Sequence, residues 1–443
     1  MNWVLIAILL AASPSYAFGK HPTTPSPPPD EGLPDAPETA SNSGPQDVAV
    51  ILLDYPGDPY AGNPNYPVTK ETFRPDPSFL KEIFTGTLGD VSISDFFGKA
   101  SENRAPFRNV EVFGPYSLDQ VIYCGDEEKL WPLGVQAASN DVNFQKFSRI
   151  VFVMPRPMVD SRCDIWGAIA AARAEMTCID TDTGEGNRCL NFAWMGWQEQ
   201  MRGLTAGDLS SLENMRKNGY SAAAIEEARQ HSLILSKYYI TKMISHELLH
   251  GFGLMHNNIY ADTFNEVIPP VGTEVPRLEY GDGLPVMSSG GTGNPVGWLT
   301  GAHLVRLGWL NDDEWRDIQT DQTVDLMPLG YGQSGVKVLR ISRNGSDDYL
   351  WLEYRELLNS YDHVSFWPVG DWTKRRIGVV VHETSSKLTD GETVLLKFNA
   401  GTPDGANNPD FRMPNLWKDP YSPVQIEILS QTPEKAQIRV SFH

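Results

Sequence analysis

The sequence has 443 residues, which is long enough for two domains and a sizeable hydrophobic core. Its formal net charge is −20 and its pI is ≈ 4.8. A surface this acidic disfavours nucleic acid and anionic membranes as partners, because both are negatively charged themselves. Hydrophobic residues make up 41% of the chain, which is typical of a globular protein.

The N-terminus has the pattern of a secretory signal peptide over residues 1–17. An apolar run from Trp3 to Ala12 precedes Ser15-Tyr16-Ala17, which has the small residues of a cleavage site. No Lys or Arg precedes the run, which is atypical. The run is too short to span a bilayer, and no later stretch is long and apolar enough, so no transmembrane anchor is expected. We expect a secreted, periplasmic or extracellular protein.

Residues 18–46 are rich in Pro and Ser and show no core-forming pattern. They are predicted to form a disordered linker or a short prosegment. The segment contains no cysteine, so it cannot inhibit a metal site through a thiolate.

The four cysteines form an even set, which in an exported chain suggests two disulfides. Three connectivities are possible. We favour a local Cys178–Cys189 bridge and a longer Cys124–Cys163 bridge. A cysteine zinc site is the alternative, but no pair has the C-x-x-C spacing.

The first half of the chain alternates strand and helix patterns. Val48–Leu53 and Ile150–Met154 are continuous apolar runs, as in buried strands. A short helix is predicted at Ile93–Phe97, followed by a strand at Val110–Tyr116. This alternation favours an α/β sandwich.

Residues 180–186 contain alternating carboxylates, Asp180 and Asp182, before a glycine. Such a loop can hold Ca²⁺. The third acidic position is occupied by Gly184, so a solvated turn is the favoured interpretation and a calcium site the alternative.

Residues 205–231 are predicted to be helical and polar, with an Ala-rich stretch at 221–228. The segment 200–230 is either an insertion that shapes a cleft or a structural helical hairpin. The apolar positions from Leu233 to Ile244 then have helical spacing, which predicts a long helix buried on one side.

That helix leads into three histidines placed for metal binding. Residues 246–256 read His-Glu-Leu-Leu-His-Gly-Phe-Gly-Leu-Met-His. His246 and His250 lie one turn apart on the same helix face, so that both can bind one Zn²⁺. His256 completes a set of three ligands and leaves a fourth position for water.

Two further residues of this motif have defined tasks. Glu247 can accept a proton from the reacting water. Gly253 can adopt a positive φ and end the helix, so that the chain turns back towards the metal. An amphipathic helix with polar residues by chance is the alternative, which the spacing of Gly253 and His256 disfavours.

Two later patterns would support a metal site. Met287 lies in a Gly/Pro-rich turn within 279–288, although a core methionine is the simpler interpretation when it is taken alone. Residues 298–310 are predicted to form a helix ended by Gly308. His303 in this helix is expected to pack or hydrogen-bond rather than to bind metal.

The pattern changes near Asn311, where a domain boundary is predicted. Short β-type runs recur between turn residues, which favours a β-sandwich. Glu353 and Arg355 face the same side of one run and are expected to form an ion pair. The runs are 336–341, 349–354, 377–382, 393–398, 424–429 and 438–442.

The pattern H-E-x-x-H-x-x-G-x-x-H with a downstream Met resembles the metzincin clan of zinc metallopeptidases. The Tyr-Gly-Asp at 280–282 and the Arg-Leu-Gly-Trp-Leu at 306–310 are most similar to the gametolysin-like family, to which the immune-inhibitor-A-type peptidases are related. The resemblance extends from about residue 48 to residue 442 and is strongest at 243–310.

The resemblance implies an α/β (α+β) metzincin-like catalytic domain with a central zinc-binding helix at 47–310, followed by a β-sandwich domain at 311–443. It implies the zinc ligands His246, His250 and His256, the general base Glu247 and the Met-turn residue Met287.

Two positions depart from well-known metzincin subgroups. Asn257 follows the third histidine, where several subgroups have Ser, Asp or Glu. Ser289 stands two positions after Met287, where astacin-like enzymes have a tyrosine, so a switching tyrosinate ligand is not expected there.

The function predicted from the sequence is a monomeric zinc endopeptidase acting on a protein or peptide substrate. One alternative is a binding module for cell walls or glycoproteins with a vestigial zinc site, against which the intact Glu247 argues. The other is a zinc amidase acting on non-protein amides.

Overall fold

The computed structural model describes residues 43–58, 71, 74–123, 126–155, 172–175, 178–184, 186–261, 263–283, 285–288, 295–358, 361–362, 377–400 and 410–443. The predicted signal peptide, most of the predicted linker 18–46 and the Cys124–Cys163 pair lie outside these residues. The described chain is a mixed α/β structure with several sheets and few helices, in agreement with the predicted α+β class.

The described residues form six α-helices. They are α1 (Pro77–Thr85), α2 (Ile93–Ala100), α3 (Leu130–Ala138), α4 (Ala206–Lys217), α5 (Ala222–His250) and α6 (Gly301–Arg306). Short 3-10 helices occur at Leu88–Asp90, Glu127–Lys129, Phe144–Lys146 and Glu199–Arg202.

The first sheet is built from the first half of the chain. Its strands are β1 (Gln46–Asp54), β2 (Phe107–Ser117), β3 (Arg149–Met154), β4 (Ala172–Ala174), β5 (Ile179–Asp182) and β6 (Asn187–Gly196). Their order is β2-β1-β3-β6-β4, and β5 pairs with β6. The central pairs are parallel, whereas β4 and β5 run antiparallel to β6.

Both faces of this sheet are covered, which explains the unbroken apolar run of β1. Val48 and Val50 enter the core that also contains α2 and α5, while Ala49 and Ile51 enter the core beneath α3. A parallel strand buried on both sides needs apolar residues at every position. The predicted strands at 48–53, 110–116 and 150–154 and the helix at 93–97 are confirmed.

The long helix α5 carries the histidine motif at its C-terminal end. It has 29 residues and begins at Ala222, and the hydroxyl of the N-cap residue Ser221 accepts a hydrogen bond from the Ala224 amide. The helix is therefore about 43 Å long. The predicted helical character of 205–231 is confirmed: these residues form α4, which ends at Lys217, and the first part of α5, which contains most of the Ala-rich stretch 221–228.

Two further sheets pack against each other in the second half. One is antiparallel with the order β10-β17-β16-β15, and the other has the order β8-β7-β14-β13-β12-β11-β9. The strands are β7 (Asn257–Tyr260), β8 (Arg277–Leu278), β9 (Trp315–Ile318), β10 (Gln322–Leu326), β11 (Val338–Ser342), β12 (Tyr349–Arg355), β13 (Gly378–Thr384), β14 (Thr393–Leu395), β15 (Leu416–Lys418), β16 (Val424–Thr432) and β17 (Lys435–Phe442).

These sheets share one core, as a sandwich requires. Leu339, Leu352 and Val381 from the larger sheet pack with Ile426 and Ile438 from the smaller one. All six strands predicted after residue 311 are present.

The larger sheet crosses the boundary predicted at Asn311. β7 and β8 precede that residue, yet β7 pairs in parallel with β14. Val338 and Trp351 from later strands also enter the core that holds Leu248 of α5. The strands on either side of Asn311 thus form one hydrogen-bonded sheet.

The helix predicted at 298–310 is shorter than expected. Thr300 has extended backbone angles and its hydroxyl accepts a hydrogen bond from the His303 amide, so α6 begins only at Gly301. Gly308 has φ +67° and lies after the helix. The predicted ion pair is confirmed, with Arg355 Nε 2.7 Å from Glu353 Oε1.

The predicted Cys178–Cys189 disulfide is formed and joins the β5–β6 hairpin to the residues before it. Asp180 lies within β5, and the Asp182 carboxylate accepts a hydrogen bond from the Gly184 amide at 2.9 Å. This is the turn that the favoured interpretation predicts. Across the described residues, no helix is long and apolar enough to cross a membrane.

Candidate metal centre

The three predicted ligands converge at the end of α5. The ring centroids of His246 and His250 are 4.8 Å apart, and the His256 ring lies 5.2 Å from the first and 4.9 Å from the second. The candidate ligand nitrogens lie within 4.8 Å of one another. His246 and His250 are buried, whereas His256 is half-buried at the edge.

The hydrogen bonds of the two helical histidines set their tautomers. His246 Nδ1 donates to the Val286 carbonyl at 3.0 Å, and His250 Nδ1 donates to the Leu254 carbonyl at 2.7 Å. A carbonyl oxygen can only accept, so both Nδ1 atoms carry the proton. Each Nε2 is then an unprotonated lone-pair donor.

His256 is oriented by a carboxylate instead. Its Nδ1 lies 2.6 Å from Glu279 Oε1. A carboxylate on the outer nitrogen increases the basicity of the imidazole towards a metal. The three rings are therefore held in the same tautomer by different acceptors.

The spacing of the inner nitrogens fits a metal ion. His250 Nε2 and His256 Nε2 are 3.1 Å apart. Two unprotonated nitrogens at this distance repel each other unless a cation or proton lies between them. Tetrahedral zinc with Zn–N bonds of about 2.0–2.1 Å places its ligand nitrogens about 3.3 Å apart. The three-histidine donor set and the hydrogen-bonded outer nitrogens thus fit a metal ion that binds imidazole.

The turn after the helix brings the third histidine back. Gly253 has φ +85°, as its place in the motif predicts, and the Leu254 amide donates to the Leu249 carbonyl. The Met255 amide then donates to the Gly391 carbonyl at 3.0 Å. The turn is therefore tied to the loop before β14.

The surroundings favour neutral imidazoles. Burial lowers the pKa of His250 to about 4, and the nearby His256 contributes to that shift. Burial and the other two histidines also hold the pKa of His246 well below its usual range. Both rings are consequently neutral at physiological pH, which is the form that binds metals.

Glu247 lies next to the first ligand on α5. It is partly buried, and desolvation raises the pKa of its carboxyl to about 8. A bound cation would oppose this shift, because it favours the ionised carboxylate. The protonation state of Glu247 therefore depends on whether a cation is bound nearby.

The main-chain carbonyls of Pro285, Val286 and Met287 each accept a hydrogen bond from α5 or from the chain that follows it. Lys242 Nζ donates to the Pro285 carbonyl at 3.1 Å, and Val286 accepts from His246. The Met287 carbonyl accepts from the Asn257 amide at 2.8 Å. The Met287 side chain is fully buried in the core that includes α5.

Sequence reasoning did not assign Glu279 and Tyr280 to the site. The Tyr280 ring centroid lies 3.9 Å from that of His256 and 5.8 Å from that of His246. Burial, together with Glu279 and Glu247, raises the pKa of its phenol. The Tyr-Gly-Asp similarity singled out this stretch, but only the fold shows that it borders the histidines.

Other sequence candidates lie elsewhere. His303 Nε2 hydrogen-bonds to the Gly391 carbonyl at 2.9 Å, which confirms its interpretation as a hydrogen-bonding residue. Among the described residues, the three histidines form the one cluster of His, Cys, Asp or Glu that could hold a metal, so Asp180 and Asp182 do not form such a cluster.

Comparisons of the chain with protein-family models, with curated proteins and with solved structures find no match. The site must therefore be interpreted from its own chemistry.

Proposed function

We propose that the chain is a zinc-dependent endopeptidase of the metzincin type, similar to the gametolysin-like family and acting outside the cell. The observation that supports this most is the arrangement of the outer nitrogens. Each Nδ1 is engaged by an acceptor, which leaves the Nε2 atoms of the three histidines, grouped at the end of the helix that carries Glu247, as candidate metal ligands. A purely structural zinc site needs four ligands and no adjacent carboxylate, whereas three ligands leave a position for the reaction.

The residues divide the chemistry of peptide hydrolysis between them. When bound, zinc acidifies the attacking water and polarises the scissile carbonyl. Glu247 accepts the proton that the water loses and delivers it to the leaving nitrogen. The Val286, Leu254 and Glu279 acceptors keep the imidazoles oriented throughout.

The proposal is tested by zinc analysis and peptide-library cleavage on the purified full chain. We expect about one zinc per chain, cleavage of the library, loss of cleavage with a chelator and its recovery with added zinc. Glu247→Gln keeps the side-chain shape and should retain zinc while losing activity by a factor of about 100 or more.

Two results would contradict the proposal. Cleavage that continues after complete zinc removal would exclude the metal mechanism. A protein that binds zinc but cleaves no peptide would favour the binding-module alternative, or the amidase alternative if a panel of non-protein amides is hydrolysed.

A further inference from the structure

Tyr280 is held against the proposed metal centre by an unusual backbone. Its φ is +60°, a left-handed conformation that a non-glycine residue seldom adopts. Such conformations persist where the surrounding structure enforces them, and they cluster at active sites. The left-handed backbone of Tyr280 therefore indicates that the surrounding structure holds this residue in place.

The neighbours of Tyr280 enforce its position from both sides. Its amide donates to Asn258 Oδ1 at 2.9 Å. A Cβ on Gly281 would lie 2.5 Å from the Ile259 side chain, so the chain passes too close to β7 for any other residue. Asp282 is buried, and its Oδ2 lies 2.9 Å from His382 Nε2 on β13.

The ring of Tyr280 faces the ligands, and its hydroxyl is not used by the fold. The ring touches His256 and lies near His246. Within the described residues, no group hydrogen-bonds to the Tyr280 hydroxyl. By contrast, the hydroxyl of Tyr361 bonds to Asp95 and to the Ser92 carbonyl, and that of Tyr354 to the Thr432 carbonyl.

We propose that Tyr280 is a catalytic residue whose hydroxyl donates a hydrogen bond to the scissile carbonyl oxygen as negative charge develops there. This assignment rests on the proposed peptidase function. Tyr280 is half-buried and packs against His256, the most exposed of the three proposed ligands, so a substrate that approaches the proposed metal past His256 would meet the tyrosine. A preorganised donor at that oxygen stabilises the transition state more than the ground state.

The step leaves Tyr280 chemically unchanged. The water oxygen forms a bond to the carbonyl carbon, the π electron pair of the C=O bond moves to its oxygen, and Glu247 takes the water proton. The oxygen then returns its electron pair to re-form the C=O bond as the C–N bond breaks, the C–N electron pair goes to nitrogen, and nitrogen receives the proton from Glu247, which gives a carboxylic acid and an amine. The phenol keeps its own proton and supplies only the hydrogen bond.

Tyr280→Phe is the informative variant, because it keeps the ring against His256 and removes only the hydroxyl. On the best-cleaved peptide of the library, kcat should fall by about 100-fold while KM changes less than about twofold. The zinc content and the thermal midpoint should not change. A phosphinic peptide mimics the tetrahedral intermediate, and the affinity of the variant for it should fall by about the same factor as kcat.

Tyr220→Phe is the matched control. Tyr220 is exposed just before α5, 26 residues ahead of His246, so it lies about 39 Å away along the helix. This variant should behave as the wild type in every measurement.

The outcomes separate the two proposals. If Tyr280→Phe keeps kcat within twofold, or loses zinc, the hydroxyl assignment is wrong and the peptidase proposal stands. If the wild type cleaves no peptide when loaded with zinc, both are wrong. A selective loss of kcat and of phosphinic-peptide affinity, with zinc retained, supports the assignment.

Discussion

At the scale of the residue, the contact between His256 and Glu279 distinguishes the third ligand from the other two. The helical histidines donate to main-chain carbonyls, which no side-chain substitution removes. Glu279 is largely exposed and supplies its acceptor from a side chain. The orientation of His256 is therefore the part of the proposed centre that a conservative substitution can weaken.

Replacing Glu279 with alanine should weaken zinc binding about 10- to 100-fold, because His256 loses the acceptor that fixes its tautomer. The measurement is the zinc Kd by competition with a chromophoric chelator. Glu274→Ala removes another exposed carboxylate of the same segment and should leave the Kd unchanged. Equal Kd values for the wild type and Glu279→Ala would show that the carboxylate does not orient the ring.

At the scale of the element, α5 must be held at both its middle and its end. Lys237 is fully buried in the middle and its Nζ lies 2.8 Å from Glu82 Oε1 on α1. At the C-terminal end, buried Arg149 donates to the Gly251 carbonyl at 3.2 Å and lies 3.5 Å from the Phe252 ring centroid. Both contacts place charge against the helix that carries the motif.

Glu82→Gln should destabilise the protein by about 2–3 kcal/mol at pH 7, because it leaves the Lys237 ammonium buried without its carboxylate. This loss is smaller than that expected for breaking a fully buried ion pair, because the Glu82 side chain is 32% exposed. The measurement is the free energy of unfolding in urea. Glu226→Gln, in an exposed pair with Arg229 on the same helix, should show no measurable change.

The pH dependence of this difference has a defined sign. Burial is the largest single influence on the pKa of Glu82 and raises it, but the hydrogen bonds from Lys237 and from the Leu88 amide, together with the charge of Lys237, outweigh burial and the pKa is lowered. The stabilisation is therefore complete above the unfolded pKa of about 4.3 and is lost as the pH falls through the folded pKa. Unfolding curves at pH 7 and at pH 3 should show a large and a small difference between wild type and Glu82→Gln, respectively; a constant difference would contradict this account.

Arg149→Met should destabilise the end of α5 by about 2–4 kcal/mol, because it removes the donor of three buried hydrogen bonds. These are Gln46 Oε1, Asn191 Oδ1 and the Gly251 carbonyl. Zinc affinity should fall as well, since Gly251 lies directly after His250. Hydrogen exchange of the amides at 248–252 would report the effect, and unchanged exchange would show that Arg149 does not anchor the turn.

At the scale of the whole molecule, the sheet that crosses Asn311 makes the histidine motif dependent on later residues. Asn257 follows His256 and donates through Nδ2 to Thr393 Oγ1 at 2.5 Å. Buried Arg343 also bonds to Asp419 and to Glu383, and Tyr260 of β7 donates to that same Glu383. Side-chain hydrogen bonds as well as strand pairing therefore join the residues before Asn311 to those after it.

A chain truncated after residue 310 should therefore fail to fold and to bind zinc, because β7 would lose its partner β14 and Glu383 would be missing. Circular dichroism, limited proteolysis and zinc content would be compared with those of the full chain. A truncated chain that binds zinc and gives a cooperative thermal transition would show that residue 311 begins an independent domain.

The difference between what could and could not be predicted follows the distance between partners along the chain. His246, His250 and the positive φ of Gly253 belong to a local helical repeat, so spacing alone predicts their geometry. The acceptors at Val286 and Leu254 are main-chain carbonyls, which every residue has. The type of residue at these two positions therefore gives no sign of the hydrogen bond. The pairing of Asn257 with Thr393 joins residues 136 positions apart and has no local signal.

The Gly391 carbonyl, which accepts from both Met255 and His303, has a consequence for the protein during its synthesis. The three histidines leave the ribosome well before the loop around Gly391 that holds their turn in place. A nascent chain thus contains every proposed ligand while lacking the contacts that fix them. In the proposed peptidase, peptide cleavage would then arise only once nearly the entire polypeptide has been made, so that partly synthesised chains would not digest neighbouring proteins.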